Sequence, residues 1–213
     1  MVSPERLADV ADQTRHPNAR KLLDTTAELL NETQIERINL STVLQRSGVS
    51  NGSLYHHFED FQDLLEQAIV ERFTKGLNDS LAAIANLLEV SDETTFRKRV
   101  KEIVFAFHDQ NRRPFRMARL ETLGALMSRP RLADRIGRAQ FESTMKQGDY
   151  LAEFQRRGWL RRDLDAAVVS TFMTATFLGR VVDDIASEQI NPTEWSRVAW
   201  IAFQAILFGD SSA

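Results

Sequence analysis

Residues 40–58 read LSTVLQRSGVSNGSLYHHF, and this stretch decides the fold. It has the layout of two short helices joined by a tight turn, that of a helix-turn-helix DNA reader. Leu40, Val43 and Leu44 mark the buried side of a first helix. Gly48 stands where the chain must turn, and a positive φ costs glycine least. Val49 plugs the angle between the helices. Ser50 can cap the second helix by accepting a hydrogen bond from a backbone N–H of its first turn. That helix is short, from about 51 to 57. It carries Asn51, Ser53, His56 and His57 at positions that need not be buried, with groups that donate to or accept from base edges and phosphates. His56 and His57 lie ~100° apart around a helix, so one packs or faces solvent while the other reads DNA. Leu54 and Phe58 belong to the core.

Helices follow on both sides, with no convincing strand. Ala19, Leu22, Leu23, Thr26, Ala27 and Leu30 share one helical face. Asp60 can cap a long helix whose stripe, from Leu64 and Leu65 through Ile69, Phe73, Leu77 and Leu81 to Leu88, ends near residue 88. At 1.5 Å per residue it reaches ~40 Å, enough to leave one small domain and enter another. Asp92 opens a further helix with Phe96, Val100, Ile103, Val104 and Phe107 inward, and Pro114 is expected to stop it. Helices over 115–127 and 132–157 are separated by Pro130, and Gly158 ends the second. The last two run from about 165 to 187 and 192 to 208. Asn191-Pro192-Thr193-Glu194 is a strong start signal for the final one. The expected fold class is all-α, about nine helices. An N-terminal arm and three-helix reader occupy 1–61, and a larger helical effector-binding and dimerisation domain occupies 62–213. The long helix from about 61 to 88 bridges them.

Composition sets bounds. In 213 residues, 43% hydrophobic content suffices for a packed core, and the absence of cysteine excludes disulfides and thiolate metal sites. The four histidines form no metal-ligand spacing. The longest apolar run, 198–203, is far short of the ~18 residues that a membrane span needs. The N-terminus is polar and charged rather than a signal peptide. The expectation is a soluble cytoplasmic protein with no cofactor, no metal, no catalytic residues and no membrane partner. Residues 209–213 read as a frayed tail.

From about Asn18 to Leu65 the chain resembles the DNA-binding domain of the tetracycline-repressor (TetR) family. The resemblance rests on Gly48-Val49-Ser50, Gly52, Ser53-Leu54-Tyr55, His57 and Phe58, with Leu64-Leu65 following at the family spacing. It covers roughly a quarter of the chain; the rest matches only in length and helical layout. The resemblance implies about nine helices and a dimer joined by a four-helix bundle built from the last two helices of each copy. It also implies DNA contacts at Tyr55 and His57, and a base contact within reach of Ser41. With the readings above, the expected DNA-binding set is Ser41, Asn51, Gly52, Ser53, Tyr55, His56, His57, Arg20, Lys21 and Arg46. A two-fold dimer would set two reading helices about one DNA turn, ~34–36 Å, or somewhat more apart.

Charge runs against this reading. Residues 1–61 hold six basic residues (Arg6, Arg15, Arg20, Lys21, Arg37, Arg46) and nine acidic ones, so the reader is net −3. Phosphate neutralisation normally supplies much of DNA affinity. The family has glycine near Gln34, threonine near Asn39, and a phosphate-contacting lysine where this chain has Phe61. Two explanations compete. In one, local geometry presents Arg20, Lys21, Arg46 and the imidazoles to DNA while the acids face away. In the other, binding is weak or needs an arm carrying Arg6 and Arg15. The first is favoured, because net charge describes the long-range field and not the docking face. Phe61 itself is either a missing phosphate contact or a buried packing residue.

The final helix is apolar all round from 198 to 203, and its predecessor carries small residues: Ala166, Ala167, Ser170, Thr171, Thr174, Ala175 and Gly179. A monomer surface helix normally shows a polar face. These helices are either core or the seat of a second subunit, with Ser170, Thr174, Trp195, Ala199 and Phe203 as expected interface residues. For a small-molecule effector the expected contacts are His108, Met117, Glu121, Phe141, Tyr150, Phe172 and Thr176, polar groups among apolar stripes. The many arginines, Arg112 to Arg138, are either a solvated surface or the mouth for an anionic ligand. The reading is a DNA-binding transcriptional regulator, a repressor on a pseudo-palindromic double-stranded operator. The alternatives are a helical scaffold or co-regulator with weak or lost DNA binding, and an all-helical enzyme, for which no nucleophile motif or phosphate loop is present.

Overall fold

A computed structural model describes residues 15–209. The arm residue Arg6 and tail residues 210–213 lie outside these. Among the described residues there are helices and no strand. The N-terminal part has α1 (Pro17–Glu32), a 3-10 turn (Ile35–Arg37), α2 (Leu40–Ser47), α3 (Asn51–His57) and the long α4 (Phe61–Ala85). A 3-10 segment (Asn86–Glu89) leads to α5 (Glu93–His108), and a 3-10 turn (Gln110–Arg112) to α6 (Arg113–Leu126). Then come α7 (Pro130–Arg156), α8 (Ala166–Gly179), the single turn α9 (Val181–Asp184) and α10 (Pro192–Phe208). With α9 taken as the broken end of α8, this is the expected all-α layout of nine helices among the described residues. The chain divides into two compact units, one ending at Phe73 and the other beginning at Thr74, so the boundary falls inside α4 and beyond residue 61.

Short polar side chains start these helices. Asn39 accepts from Thr42 N at 3.0 Å, Asp60 from Asp63 N at 2.7 Å, and Asp92 from Thr95 N at 2.9 Å. Asn191 accepts from both Thr193 N and Glu194 N, as its sequence motif predicts. Each satisfies a backbone donor that the helix cannot, worth about 1 kcal/mol. Pro114 does not stop α5, which already ends at His108. It sits in the first turn of α6, where its missing N–H has no helical partner to lose. Pro130 opens α7 in the same way.

In the N-terminal unit, Leu22, Leu23, Ile35, Val43, Leu54, Leu64, Ala68 and Ile69 form a dry core. Leu40 and Leu44 are only half-buried. In the C-terminal unit the core gathers Phe96, Val100, Val104, Leu151, Phe154, Val169, Phe203 and Leu207. Gly148 lets α7 approach α8 closely: a Cβ there would lie 3.1 Å from the Cα of Ala167. Ser170 is sealed in the same contact, its hydroxyl hydrogen-bonded with Thr144 O and Gln147 Oε1.

The helix expected over 165–187 breaks at Arg180. There the chain turns a fully buried guanidinium inward to His108 O, and Asp184 inward to Arg116. By length and composition residues 166–184 are apolar enough to cross a membrane, although no unbroken apolar run spans them. Buried Ser170, Arg180, Asp183 and Asp184 bond this segment to its own unit.

Candidate nucleic-acid interface and effector cavity

The reader is built as its sequence predicts. Gly48 adopts φ 66° and ψ 15°, and its N–H closes α2 on Leu44 O at 3.0 Å. Val49 is buried in the angle. Ser50 caps α3 by accepting from Ser53 N at 3.2 Å. Helix α3 then leaves Asn51, Gly52, Tyr55 and His56 exposed, while Leu54 and the following Phe58 are buried. Ser41, on α2, is exposed as well. Tyr55 is 53% exposed, so its ring stands in solvent rather than in the core.

Two residues of α3 have partners inside the unit. The Ser53 hydroxyl accepts from Asn18 Nδ2 at 3.1 Å, tying α3 to α1. His57, half-buried, stacks on His16 with ring centroids 4.7 Å apart and meets His56 edge-on at 4.9 Å. Burial, then the neighbouring His16 and His56, push the His57 imidazole below its usual pKa and favour its neutral form. His16 also caps α1, its Nδ1 accepting from Asn18 N at 3.2 Å. Sequence reading missed His16 and Asn18. Their only signal was the His-Pro-Asn string at a helix start.

Acids sit beside the arginines of this unit. Arg20 bonds Asp24 through Nε at 2.8 Å and lies 3.4 Å from Glu71. Arg46 bonds Glu32 at 2.7 Å and lies 3.6 Å from Glu28. Arg15 lies 3.6 Å from Glu71. The physical reason is helical spacing. Asp24 follows Arg20 by one turn, and Glu28 and Glu32 are themselves one turn apart on the side of α1 that meets α2. Lys21 is exposed. Guanidiniums already neutralised release few counterions on meeting phosphate, so a shallow salt dependence of DNA affinity is expected. Phe61 is half-buried at the start of α4. Phe61→Lys should therefore steepen the slope of log affinity against log salt by about one unit. It should leave sequence preference alone, since phosphate contacts carry no base information. Salt titration beside thermal melting checks this; a large fall in Tm without any gain in affinity would reject it.

The C-terminal unit holds a narrow cavity of about 70 Å³, or about 670 Å³ when the open space at its mouth is counted. Its walls are largely apolar, with Ile84, Ile103, Val104, Phe177 and Phe203 among them, and its polar groups include His108, Arg119, Gln140, Gln147 and Thr174. His108 is buried, and its Nδ1 accepts from the indole N–H of Trp195 at 3.1 Å. Burial first, then the cations Arg180 and Arg116, lower its pKa to about 4, so it is neutral at pH 7. Arg119 donates to Gln140 Oε1, and Gln140 Nε2 donates to Thr144 Oγ1 at 3.1 Å.

Of the seven residues expected to meet an effector, His108 lines this cavity and the other six do not. Phe141 is 66% exposed and Phe172 is exposed on α8. Met117, Glu121, Tyr150 and Thr176 are half-buried elsewhere, the Thr176 hydroxyl donating to Phe172 O. The cause is helical phase: Gln140 and Phe177, one residue from Phe141 and Thr176, are the ones that face inward. The expected interface residues Ser170, Ala199 and Phe203 are buried within their own chain, Thr174 lines the cavity, and Trp195 is half-buried against His108. The exposed apolar residues of these helices are instead Val168, Phe172, Val198 and Ile201.

Residues 22–68 match the sequence model described as bacterial regulatory proteins, tetR family. The HTH-type transcriptional regulator BetI of Escherichia coli O127:H6 (strain E2348/69 / EPEC) is 32% identical over 91 residues, covering 43% of this chain and 45% of BetI. The match thus spans about half the length of the curated relatives. Salmonella enterica GusR has the same fold, with TM-score 0.68 and 17% identity over 92% of this chain and 98% of that one. So has a transcriptional regulator from Saccharomonospora viridis solved in complex with choline, with TM-score 0.65 and 18% identity over 89% of this chain and 96% of that one. Residues 22–68 thus carry a reader motif that matches the tetR-family model, and the all-helical fold of the described residues is the one that these solved structures share.

Proposed function

We propose that this protein is a cytoplasmic transcriptional repressor that binds a pseudo-palindromic double-stranded operator as a homodimer and responds to a small molecule held in the C-terminal cavity. The observation that carries the reading is the outward face of α3, with Asn51, Gly52, Tyr55 and His56 exposed on a helix whose other side is core. Asn51 offers an amide suited to base edges, and Tyr55 and His56 offer groups suited to phosphate. Support for the dimer comes from α8 and α10. Most of the apolar stretch 166–184 is not fully buried within the chain. Val168, Phe172, Val198 and Ile201 leave an apolar surface of the kind that monomers avoid. Support for an effector comes from convergent polar groups in a mostly apolar cavity. An effector lowers operator affinity by no more than its own preference for the conformer that cannot bind DNA. The pairing of Arg20 and Arg46 with acids supports a second reading, a co-regulator that binds DNA weakly.

Binding curves on DNA flanking the protein's own gene, matched against scrambled controls, test the reading. Asn51→Ala should cost about 1–3 kcal/mol on the preferred sequence and relax the preference. Tyr55→Phe should weaken binding to all sequences alike. Ser53→Ala also removes the bond from Asn18, so its effect is to be separated from folding by thermal melting. Unchanged affinity and preference in Asn51→Ala and Tyr55→Phe would mean that α3 does not enter the groove.

A further inference from the structure

The cavity of the C-terminal unit has a charge character of its own. None of its lining residues is Asp or Glu, while Arg119 contributes a guanidinium that is 8% exposed. Burial lowers the Arg119 pKa, but only to about 10, so the group stays cationic at neutral pH. Gln140 holds it in place, accepting from Arg119 through Oε1 while its own amide is fixed on Thr144. His108 adds a donor. It is neutral, and its Nδ1 is occupied as an acceptor by Trp195, so its single hydrogen resides on Nε2. The rest of the lining is largely hydrocarbon and aromatic, with Leu81, Ile84, Ile103, Val104, Phe177 and Phe203 among it.

A quaternary ammonium such as the choline bound by the Saccharomonospora viridis regulator would meet a fixed cation here and no lining carboxylate. An acceptor-rich anion would meet a charged donor fork and an imidazole N–H. Arginine suits a carboxylate best, because its planar donors match the two oxygens. We infer that the cavity takes an amphipathic carboxylate, its anionic head on Arg119 and its apolar body against the hydrocarbon wall. The inference rests on the reading of this cavity as the effector site.

Three probes with one tail and three heads decide it: octanoate, 1-octanol and octyltrimethylammonium, each titrated calorimetrically into the full chain. Octanoate should bind about tenfold or more tighter than octanol, as expected for a charge-assisted hydrogen bond, and octyltrimethylammonium weakest. Arg119→Gln should bring octanoate down to the octanol level, Arg119→Lys should keep part of the preference, and octanol should be indifferent to both. The ranking on wild-type protein needs no variant to fold. Equal binding of octanoate and octanol, or tightest binding of the ammonium, overturns the carboxylate while leaving the cavity as a ligand site. A Thr174→Trp variant fills the cavity and should abolish binding of all three. If binding survives it, or if none of the three binds the wild type, the cavity reading itself falls and the carboxylate with it.

Discussion

Asp184→Ala is expected to destabilise the C-terminal unit by about 3–5 kcal/mol, the range for breaking a buried ion pair by removing one partner. Arg116 and Asp184 are 0% and 2% exposed, and Nη2 meets Oδ1 at 2.8 Å. Without the carboxylate, Arg116 keeps only carbonyl partners such as Asp109 O, at 3.1 Å. Arg180 lies nearby, 1% exposed, its Nε and Nη2 without a hydrogen bond among the described residues and its Nη2 3.9 Å from Asp183 Oδ2. Two buried cations would then share a site that has lost one of its acids, with Asp183 still beside Arg180. For a chain of this size the loss corresponds to a Tm lower by roughly 6–20 °C, measurable by circular dichroism. The paired change Arg116→Met with Asp184→Leu should cost much less than Asp184→Ala, because no charge is stranded. A fall of under ~1 kcal/mol in Asp184→Ala would show that water or movement relieves the site.

The same groups set an acid limit. Arg116 first, through its hydrogen bond, holds the Asp184 carboxyl below the usual carboxylate range. Its contribution is present above the unfolded value near ~3.9 and is lost as pH falls through the lower folded value. His108 titrates at about 4 when folded, against ~6.5 unfolded. Its unfolded form takes up the proton first, so stability declines from about pH 6.5 downward, before the Asp184 contribution begins to be lost.

Phe172→Asp combined with Val198→Asp should convert a dimer into a folded monomer and reduce operator affinity by about 10²–10⁴-fold, the scale of losing linked engagement of two half-sites. Both residues are exposed within their own chain, so helix content should be kept. Phe203→Asp is a poor choice for this purpose, because Phe203 is 3% exposed and its loss would unfold the core. Light scattering and circular dichroism on the same sample check both points. A wild-type protein that is monomeric at micromolar concentration would end the dimer proposal.

The reader was legible because its signals are local. Gly48 needs a positive φ, Ser50 needs a helix start directly after it, and Leu54 and Phe58 fall on the inner face within two turns. The cavity was not legible, because its lining is set by the phase between packed helices. One residue of error exchanges Phe141 for Gln140 and Thr176 for Phe177. The small residues of α8 misled for a related reason. They permit close approach, and the partner that approaches is α7 of the same chain, at Gly148 and Ala167. One signal was present and unread. Arg116, Arg119, Thr122 and Ala125 repeat every three residues, and all four are buried on one side of α6. In a stretch crowded with arginines, that spacing separated the inward ones from the solvated ones.

The division of α4 between the two units governs how the protein can be taken apart. A fragment cut at residue 61, where the reader motif is complete to the eye, would lack Leu64, Leu65, Ala68 and Ile69, all at 3% exposure or less. Such a fragment would carry every exposed residue of α3 and still lack much of the hydrophobic support that shapes it. An isolated head has to extend at least to Phe73, and the remainder has to begin in the middle of a helix. Exchange of reading heads between regulators of this kind, in the laboratory or in evolution, must therefore splice helix to helix instead of loop to loop.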